Sequence, residues 1–115
     1  MSQFTVYHNP RCSKSRLALA YLDEKNEDYS VVEYLKEPLS GKDIEDLLEK
    51  LNISAEELLR KGEKDFNDHF RGKNLSQKEW ARAMSDYPKL MERPIVVKGG
   101  KAVVARPAER INELG

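Results

Sequence analysis

The sequence has a single cysteine, Cys12, in 115 residues, and this scarcity limits the chemistry the chain can perform. One cysteine cannot form a disulfide within the chain, so a disulfide at Cys12 must involve a thiol of another molecule. Long apolar runs are also missing, and the opening MSQFTVYHNP lacks the pattern of a signal peptide. We therefore expect a cytoplasmic protein without a membrane partner.

An excess of charge of one sign is missing as well, because 20 basic and 20 acidic side chains cancel. Without a basic surplus we expect no nucleic-acid partner. Cys12 and the two histidines, His8 and His69, show none of the paired spacings of zinc sites, so no metal is expected. The length fits one domain, residues 1–115, and the absence of a heptad pattern favours a monomer.

Local patterns predict an α/β fold. Phe4–Tyr7 and Tyr29–Tyr34 are rich in β-branched and aromatic residues and predict strands, and a helical pattern runs from Ser13 to about Lys25 between them. Two strands joined by a helix should lie parallel with a right-handed crossover. Near the end of the chain, Pro94–Val97 and Ala102–Ala105 predict two more strands around a Gly-Gly turn, which suits the positive φ angles of a hairpin.

The middle of the chain, about residues 40–88, is predicted to be entirely helical. Three serines there each precede an acidic residue at capping-box spacing: Ser40 with Asp43, Ser54 with Glu57, and Ser76 with Glu79. A last helix should open at Pro107. This order of elements predicts a thioredoxin-like fold with a mixed four-stranded sheet and an inserted all-helical segment.

Cys12 is predicted to lie at the start of the first helix, where unpaired N–H groups and the helix dipole favour negative charge. Arg11, Lys14 and Arg16 flank it and His8 is close in sequence, so the thiol pKa should fall below the free value of about 8.5. A lone cysteine is more often a small buried hydrophobe. Its place between a proline-broken loop and a polar helix start instead favours a nucleophile beside an oxyanion site.

Three arginines are candidates for binding that oxyanion: Arg60, Arg93 and Arg106. Arg93 and Arg106 each precede a proline, and Arg93 stands where thioredoxin-like folds place a cis-proline loop against the active thiol. Guanidinium groups bind tetrahedral oxyanions through paired hydrogen bonds of fixed geometry. Each arginine alone would more often be a solvated surface side chain, so it is their arrangement that supports the interpretation.

The segment YHNPRCSKSR, residues 7–16, resembles the glutaredoxin-coupled arsenate reductase family. Further landmarks of that family follow in order and at similar spacing: EYLKEP, LLRK, ERPIVV and ARP. The resemblance runs essentially from Phe4 to Leu114. Arg11, Ser13 and Lys14 around the cysteine are closer to an arsenate-reductase-like branch than to the best-studied members.

This resemblance implies a reaction and roles for six residues. The thiolate of Cys12 would attack arsenate held by the three arginines, and glutathione and glutaredoxin would complete the reduction to arsenite. His8 would help to keep the thiol ionised, and Ser15 would place a hydroxyl near the thiolate. Glutathione would be a co-substrate, and no bound cofactor is implied.

Two alternative functions stay open on the sequence. In one, the chain is a monothiol glutaredoxin-like oxidoreductase that acts on glutathione mixed disulfides through Cys12, with Ser15 in place of a resolving cysteine. In the other, it is a non-enzymatic redox regulator that resembles the Spx type and binds RNA polymerase. Regulators of that type usually carry a pair of cysteines, which Cys12-Ser13-Lys14-Ser15 lacks.

Overall fold

The computed structural model describes residues 3–115, which fall into two compact units. The first combines the chain up to Glu37 with Arg93–Gly115, and the second is Pro38–Glu92. We call them the sheet unit and the helical unit. The expected helical segment, about residues 40–88, lies within the helical unit. A single domain over residues 1–115 stays a prediction, and the first two residues of that range lie outside the described part.

The sheet unit contains four strands, one α-helix and a closing 3-10 helix. In chain order these are β1 (Phe4–Tyr7), α1 (Ser13–Glu24), β2 (Tyr29–Val32), β3 (Ile95–Lys98), β4 (Lys101–Val104) and the 3-10 helix Ala108–Leu114. The strand order in the sheet is β2-β1-β3-β4. β1 pairs parallel with β2, and the other two pairings are antiparallel. The predicted thioredoxin-like α/β fold with a mixed four-stranded sheet is thus confirmed.

Burial follows the periods that the sequence predicts. Phe4 and Val6 of β1 are buried while the residues between them are half-buried, and α1 buries Ser15, Ala18 and Leu22, which share one face of the helix. Apart from Ser15, these side chains are apolar and form one core with residues of β3, β4 and the chain that follows β4: Val96, Val103, Ala105, Ile111 and Leu114. The core therefore fixes α1, and with it Cys12, against the sheet.

Several details differ from the predictions. β3 is Ile95–Lys98 rather than Pro94–Val97, and β4 is Lys101–Val104 rather than Ala102–Ala105. The second strand ends at Val32 rather than Tyr34, whose side chain is buried beyond the strand. In the hairpin only Gly99 has a positive φ, 60°, which is the pattern of a type II′ turn. The last helix is a 3-10 helix and not an α-helix.

The helical unit consists of short helices, three of which start at the predicted serines. Its elements are α2 (Gly41–Leu51), α3 (Ala55–Leu58), α4 (Lys64–His69), α5 (Gln77–Asp86) and the 3-10 helix Pro88–Leu90. Both hydrogen bonds of a capping box form at each predicted serine of α2, α3 and α5. No helix in residues 3–115 combines the length and apolar character needed to cross a membrane.

Candidate functional site

Three loops of the sheet unit meet at one edge of the sheet. Tyr7 pairs with Ile95, and Ile95 pairs with Val104, so the end of β1, the start of β3 and the end of β4 meet there. The backbone N–H of Ala105 donates to the carbonyl of Pro94 at 2.9 Å and ties the last two together. The loop with Cys12, the Arg93–Pro94 dipeptide and Arg106 thus leave the sheet at the same edge. The peptide bond before Pro94 is cis, and so is the bond between Arg106 and Pro107.

Asn9 organises the loop that carries Cys12. Its carbonyl accepts the N–H of Cys12 at 3.0 Å, and its side-chain Oδ1 accepts the N–H of Arg11 at 3.0 Å. Its own N–H donates to the Oγ of Ser15 at 3.3 Å, which links the loop to the first turn of α1. These three bonds shape the turn that brings the cysteine to the helix start. The sequence analysis did not select Asn9, although an asparagine before a proline is typical of such turns.

Arg16 adds a second link between helix and loop. Its Nη1 donates to the carbonyl of Pro10 at 2.8 Å. This hydrogen bond links the Arg16 side chain of α1 to the loop and stabilises the loop.

Cys12 is the N-cap residue of α1, in extended conformation with φ −97° and ψ 121°. The first turn holds no acidic residue, and the half-buried thiol makes no conventional capping hydrogen bond. Burial raises the pKa of Cys12, but the N–H of Ser15, the guanidinium of Arg93 and the N–H of Lys14 outweigh it and bring the pKa below its ordinary value. The predicted direction is confirmed, and the cation among the causes is Arg93, distant in sequence. The thiolate is the reactive form of cysteine, so these surroundings favour nucleophilic chemistry at Cys12.

Arg93 brings a free donor to the same place. Its side chain is half-buried and its Nε is buried, without a hydrogen-bond partner in the part of the chain that the structure describes. Buried donors are usually paired, so an unpaired guanidinium nitrogen is notable. Beside a thiol that favours negative charge, it can bind an anionic ligand.

His8 and Ser15 are both buried. Burial lowers the pKa of His8; Glu33 opposes that effect and Arg16 adds to it. A histidine with a lowered pKa is mainly neutral at pH 7, so it adds little to the positive field expected at the thiol. The hydroxyl of Ser15 accepts the N–H of Asn9, and its backbone N–H favours the thiolate. The roles that the resemblance implies for both residues stay predictions.

The remaining two arginines differ in position. Arg106 is exposed at the end of β4, in the sheet unit, and its N–H donates to the carbonyl of Val104 at 2.9 Å. Arg60 belongs to the helical unit, where its Nη1 lies 3.3 Å from a carboxylate oxygen of Glu63 and 3.5 Å from the carbonyl of Lys89. The structure therefore brings Cys12, Ser15 and Arg93 together and puts Arg106 at the same sheet edge. The function predicted for Arg60 stays a prediction.

Residues 3–115 contain no group of three or more histidine, cysteine or acidic side chains arranged to hold a metal ion. The groups that meet around the thiol of Cys12 are the N–H groups of Lys14 and Ser15 and the guanidinium of Arg93.

Comparisons with known proteins agree on one family. The sequence model of the ArsC family matches residues 7–114. The uncharacterized protein YfgD of Escherichia coli K12 is 45% identical over 97% of this chain and 96% of its own length. The arsenate reductase of Neisseria meningitidis serogroup A is 38% identical over 96% and 97%. The solved structure of the arsenate reductase from Vibrio cholerae covers all of both chains at 34% identity with a TM-score of 0.94.

Proposed function

The chain belongs to the ArsC family, and from that membership we propose that it is an arsenate-reductase-type enzyme with Cys12 as nucleophile. The observation that carries the proposal is the lowered pKa of Cys12 beside Arg93, whose Nε has no protein partner in the described residues. A nucleophile and an unpaired anion donor at one point fit a reaction in which sulfur attacks an oxyanion. Arsenate reductase is also what several close relatives are named.

Arsenate would bind at the start of α1. The N–H groups of Lys14 and Ser15 favour a negative sulfur there and can also donate to an oxyanion, since a helix start presents several donors to one point. The Nε of Arg93 would take another oxygen, and Arg106 would reach the anion from the end of β4. These donors would offset the charge that the thiolate and arsenate bring together.

The first chemical step is attack of the Cys12 thiolate on arsenic. A sulfur–arsenic bond forms, and one hydroxyl of arsenate leaves as water after taking up a proton. A thiol of glutathione then replaces a second oxygen in the same way, again with release of water, while arsenic remains at its higher oxidation state.

Reduction follows when a glutaredoxin thiolate attacks the glutathione sulfur. The sulfur–arsenic bond breaks, its electron pair stays on arsenic, and a mixed disulfide of glutathione and glutaredoxin is released. Water then cleaves the bond between Cys12 and the reduced arsenic, giving arsenite and the free thiol. The chain's single cysteine requires that both oxidised sulfurs in this scheme come from other molecules.

The decisive experiment measures arsenite formation from arsenate in the presence of glutathione and glutaredoxin. The native protein should turn over, and Cys12→Ser should reduce the rate to that of the reagents alone. Lys101→Ala is the control, because Lys101 is an exposed cation of the β3–β4 hairpin, at the opposite end of the strands from Arg93. It should keep the native rate. Arsenite formation that does not depend on Cys12 would refute the proposal.

The same protein preparations distinguish the monothiol oxidoreductase alternative from the arsenate reductase proposal. The sequence Cys12-Ser13-Lys14-Ser15, with serine where a resolving cysteine would stand, is the observation that favours it. A monothiol oxidoreductase would rapidly reduce a mixed disulfide of glutathione and a small thiol and would leave arsenate unchanged. The arsenate reductase proposal requires the opposite preference.

A further inference from the structure

Arg60 lies in the segment of the helical unit that joins α3 to α4, and hydrogen bonds fix its backbone there. Its N–H donates to the carbonyl of Leu90 at 2.7 Å, and the neighbouring Leu59 forms an antiparallel bridge with Met91. The carbonyl of Arg60 accepts the N–H of Glu63 at 3.1 Å, which closes a turn that leads into α4. The Arg60 side chain therefore starts from a backbone that is held on both sides.

The guanidinium of Arg60 is held at one of its nitrogens. Its Nη1 lies 3.3 Å from a carboxylate oxygen of Glu63 and 3.5 Å from the carbonyl of Lys89, which belongs to the 3-10 helix Pro88–Leu90. The side chains of Arg60 and Glu63 are only 24% and 28% exposed. Because partly buried ion pairs are screened less than exposed ones, this pair can restrain the guanidinium.

The other edge of the same guanidinium is free. No hydrogen bond joins Nε or Nη2 of Arg60 to another group within residues 3–115. Since the guanidinium is planar and rigid, contacts at Nη1 also restrict the direction in which Nε and Nη2 point. Two neighbouring guanidinium nitrogens can donate parallel hydrogen bonds to two oxygens of one oxyanion. Glu63 thus occupies the nitrogen that such a paired contact does not need.

We propose that Glu63 is a positioning residue for arsenate binding, which holds Nη1 of Arg60 so that Nε and Nη2 meet the oxyanion as a preformed pair. This inference rests on the proposed function, with Arg60 as one of the three arginines predicted to bind arsenate. A long side chain loses rotamer freedom when it binds a ligand, and one that is already oriented loses less. Glu63 makes no contact with arsenate in this scheme and acts through Arg60 alone.

The test is a double-mutant cycle on arsenate affinity, measured by isothermal titration of the intact protein in the Cys12→Ser background. Glu63→Ala should weaken binding about threefold to tenfold, the effect of leaving one long side chain unrestrained before it binds. When Arg60 is already replaced by Ala, Glu63→Ala should have no further effect. Glu63→Gln keeps an oxygen that accepts from Nη1 and should restore affinity close to that of the parent protein.

Glu56→Ala is the matched control. Glu56 pairs with Lys61 in the same unit at 3.9 Å, with side chains 53% and 59% exposed, so its loss should leave arsenate affinity unchanged. Three results would each overturn the inference. These are arsenate binding by Glu63→Ala as tight as that of the parent or tighter, an equal loss with and without Arg60, and binding by Glu63→Gln as weak as by Glu63→Ala.

Steady-state kinetics separate this inference from the proposed function. With Cys12 present, Glu63→Ala should raise KM for arsenate, while kcat and the rate of Cys12 alkylation by iodoacetamide stay native. If arsenate is reduced and Arg60→Ala weakens its binding but Glu63→Ala does not, the positioning role is wrong and the function stands. Native affinity in Arg60→Ala has the same meaning. If arsenate binds with the predicted coupling between Arg60 and Glu63 but is never reduced, the positioning role stands and the function is wrong.

Discussion

Three helices of the helical unit begin differently from α1 of the sheet unit, while α4 follows Glu63 without a side-chain capping bond. In the helical unit, α2, α3 and α5 each begin with a serine whose hydroxyl accepts a first-turn N–H, and an acidic side chain completes the capping box. In the sheet unit, α1 begins with Cys12, without a conventional side-chain capping bond and without an acidic residue in its first turn. In α2, α3 and α5 a serine hydroxyl accepts a hydrogen bond from a first-turn N–H group. In α1 the corresponding N–H groups face the sulfur of Cys12 instead.

The two kinds of helix start have different consequences: a serine cap stabilises the helix, whereas a cysteine cap favours thiol chemistry. A serine cap satisfies backbone donors and fixes where a helix begins. A cysteine in that position leaves donors that favour a thiolate and can bind an anion. The charge that completes the site comes from Arg93 rather than from an acidic partner, so the local field favours anions where a capping box would oppose them. Four substitutions test this difference between the helix starts.

The largest effect is expected from Arg93→Ala. Loss of a hydrogen bond to a charged group should weaken arsenate binding by about 1.5 to 3 kcal/mol and should raise the pKa of Cys12. Isothermal titration with arsenate in the Cys12→Ser background measures the first effect without covalent chemistry. The same measurement on Arg60→Ala and Arg106→Ala tests the two other predicted ligands, with Lys101→Ala as a charge-matched control. Native affinity for arsenate in all three arginine variants would refute the proposed oxyanion site.

A smaller effect, on stability alone, is expected from Ser40→Ala in the helical unit. The variant loses the hydroxyl that accepts the N–H of Asp43 at 3.1 Å, and the free energy of unfolding should fall by about 1 kcal/mol. Urea unfolding measures the loss, and the rate of Cys12 alkylation should stay native. A change in alkylation rate equal to that of Arg93→Ala would show that the two kinds of helix start are not independent.

Asn9→Ala should act on the thiol more than on the fold. It removes the Oδ1 that accepts the N–H of Arg11, a bond worth about 1 kcal/mol, and loosens the turn that holds Cys12 at the helix start. We expect a higher thiol pKa than in the native protein and a smaller loss of stability than in Ser40→Ala. Asn9→Asp keeps an acceptor in place and serves as the comparison for the hydrogen bond alone. An unchanged thiol pKa in Asn9→Ala would show that the turn does not set the position of the sulfur.

The smallest effect concerns pH and His8. Burial lowers the pKa of His8, against Glu33 and with Arg16, so the unfolded chain takes up a proton more readily than the folded one. The free energy of unfolding should therefore fall as the pH drops through the ordinary histidine value of about 6.5. His8→Asn should show a smaller difference in urea stability between pH 7 and pH 5.5, whereas Ser40→Ala should keep the native difference. An equal difference in His8→Asn would assign the pH dependence to other groups.

The sequence predicted the elements more completely than the site. Serine and acidic residues three apart marked the starts of α2, α3 and α5, because a capping box is formed by residues within one helical turn. The start of α4 has no such signal. The first strand was predicted with its observed bounds, since its pattern is also local. The 3-10 form of the last helix and the end of the second strand at Val32 depend on packing, which a local pattern does not report.

At the site, sequence reasoning selected Cys12 as the candidate nucleophile and named Arg93 as a candidate oxyanion ligand. It credited the lowered pKa of the thiol to cations that flank Cys12, whereas the structure adds a guanidinium from the loop before β3. That contact is created by the pairing of β1 with β3 and is not visible in the neighbourhood of residue 12. Asn9 escaped notice because its three hydrogen bonds form only once the loop has folded.

The most direct measurement is the pH dependence of Cys12 alkylation by iodoacetamide in the native protein and in Arg93→Ala. We predict a midpoint for the native thiol below the value of about 8.5 for free cysteine, and a higher midpoint in Arg93→Ala. A native midpoint equal to that of free cysteine and unaffected by Arg93→Ala would contradict the account, because neither the start of α1 nor Arg93 would then be favouring the thiolate.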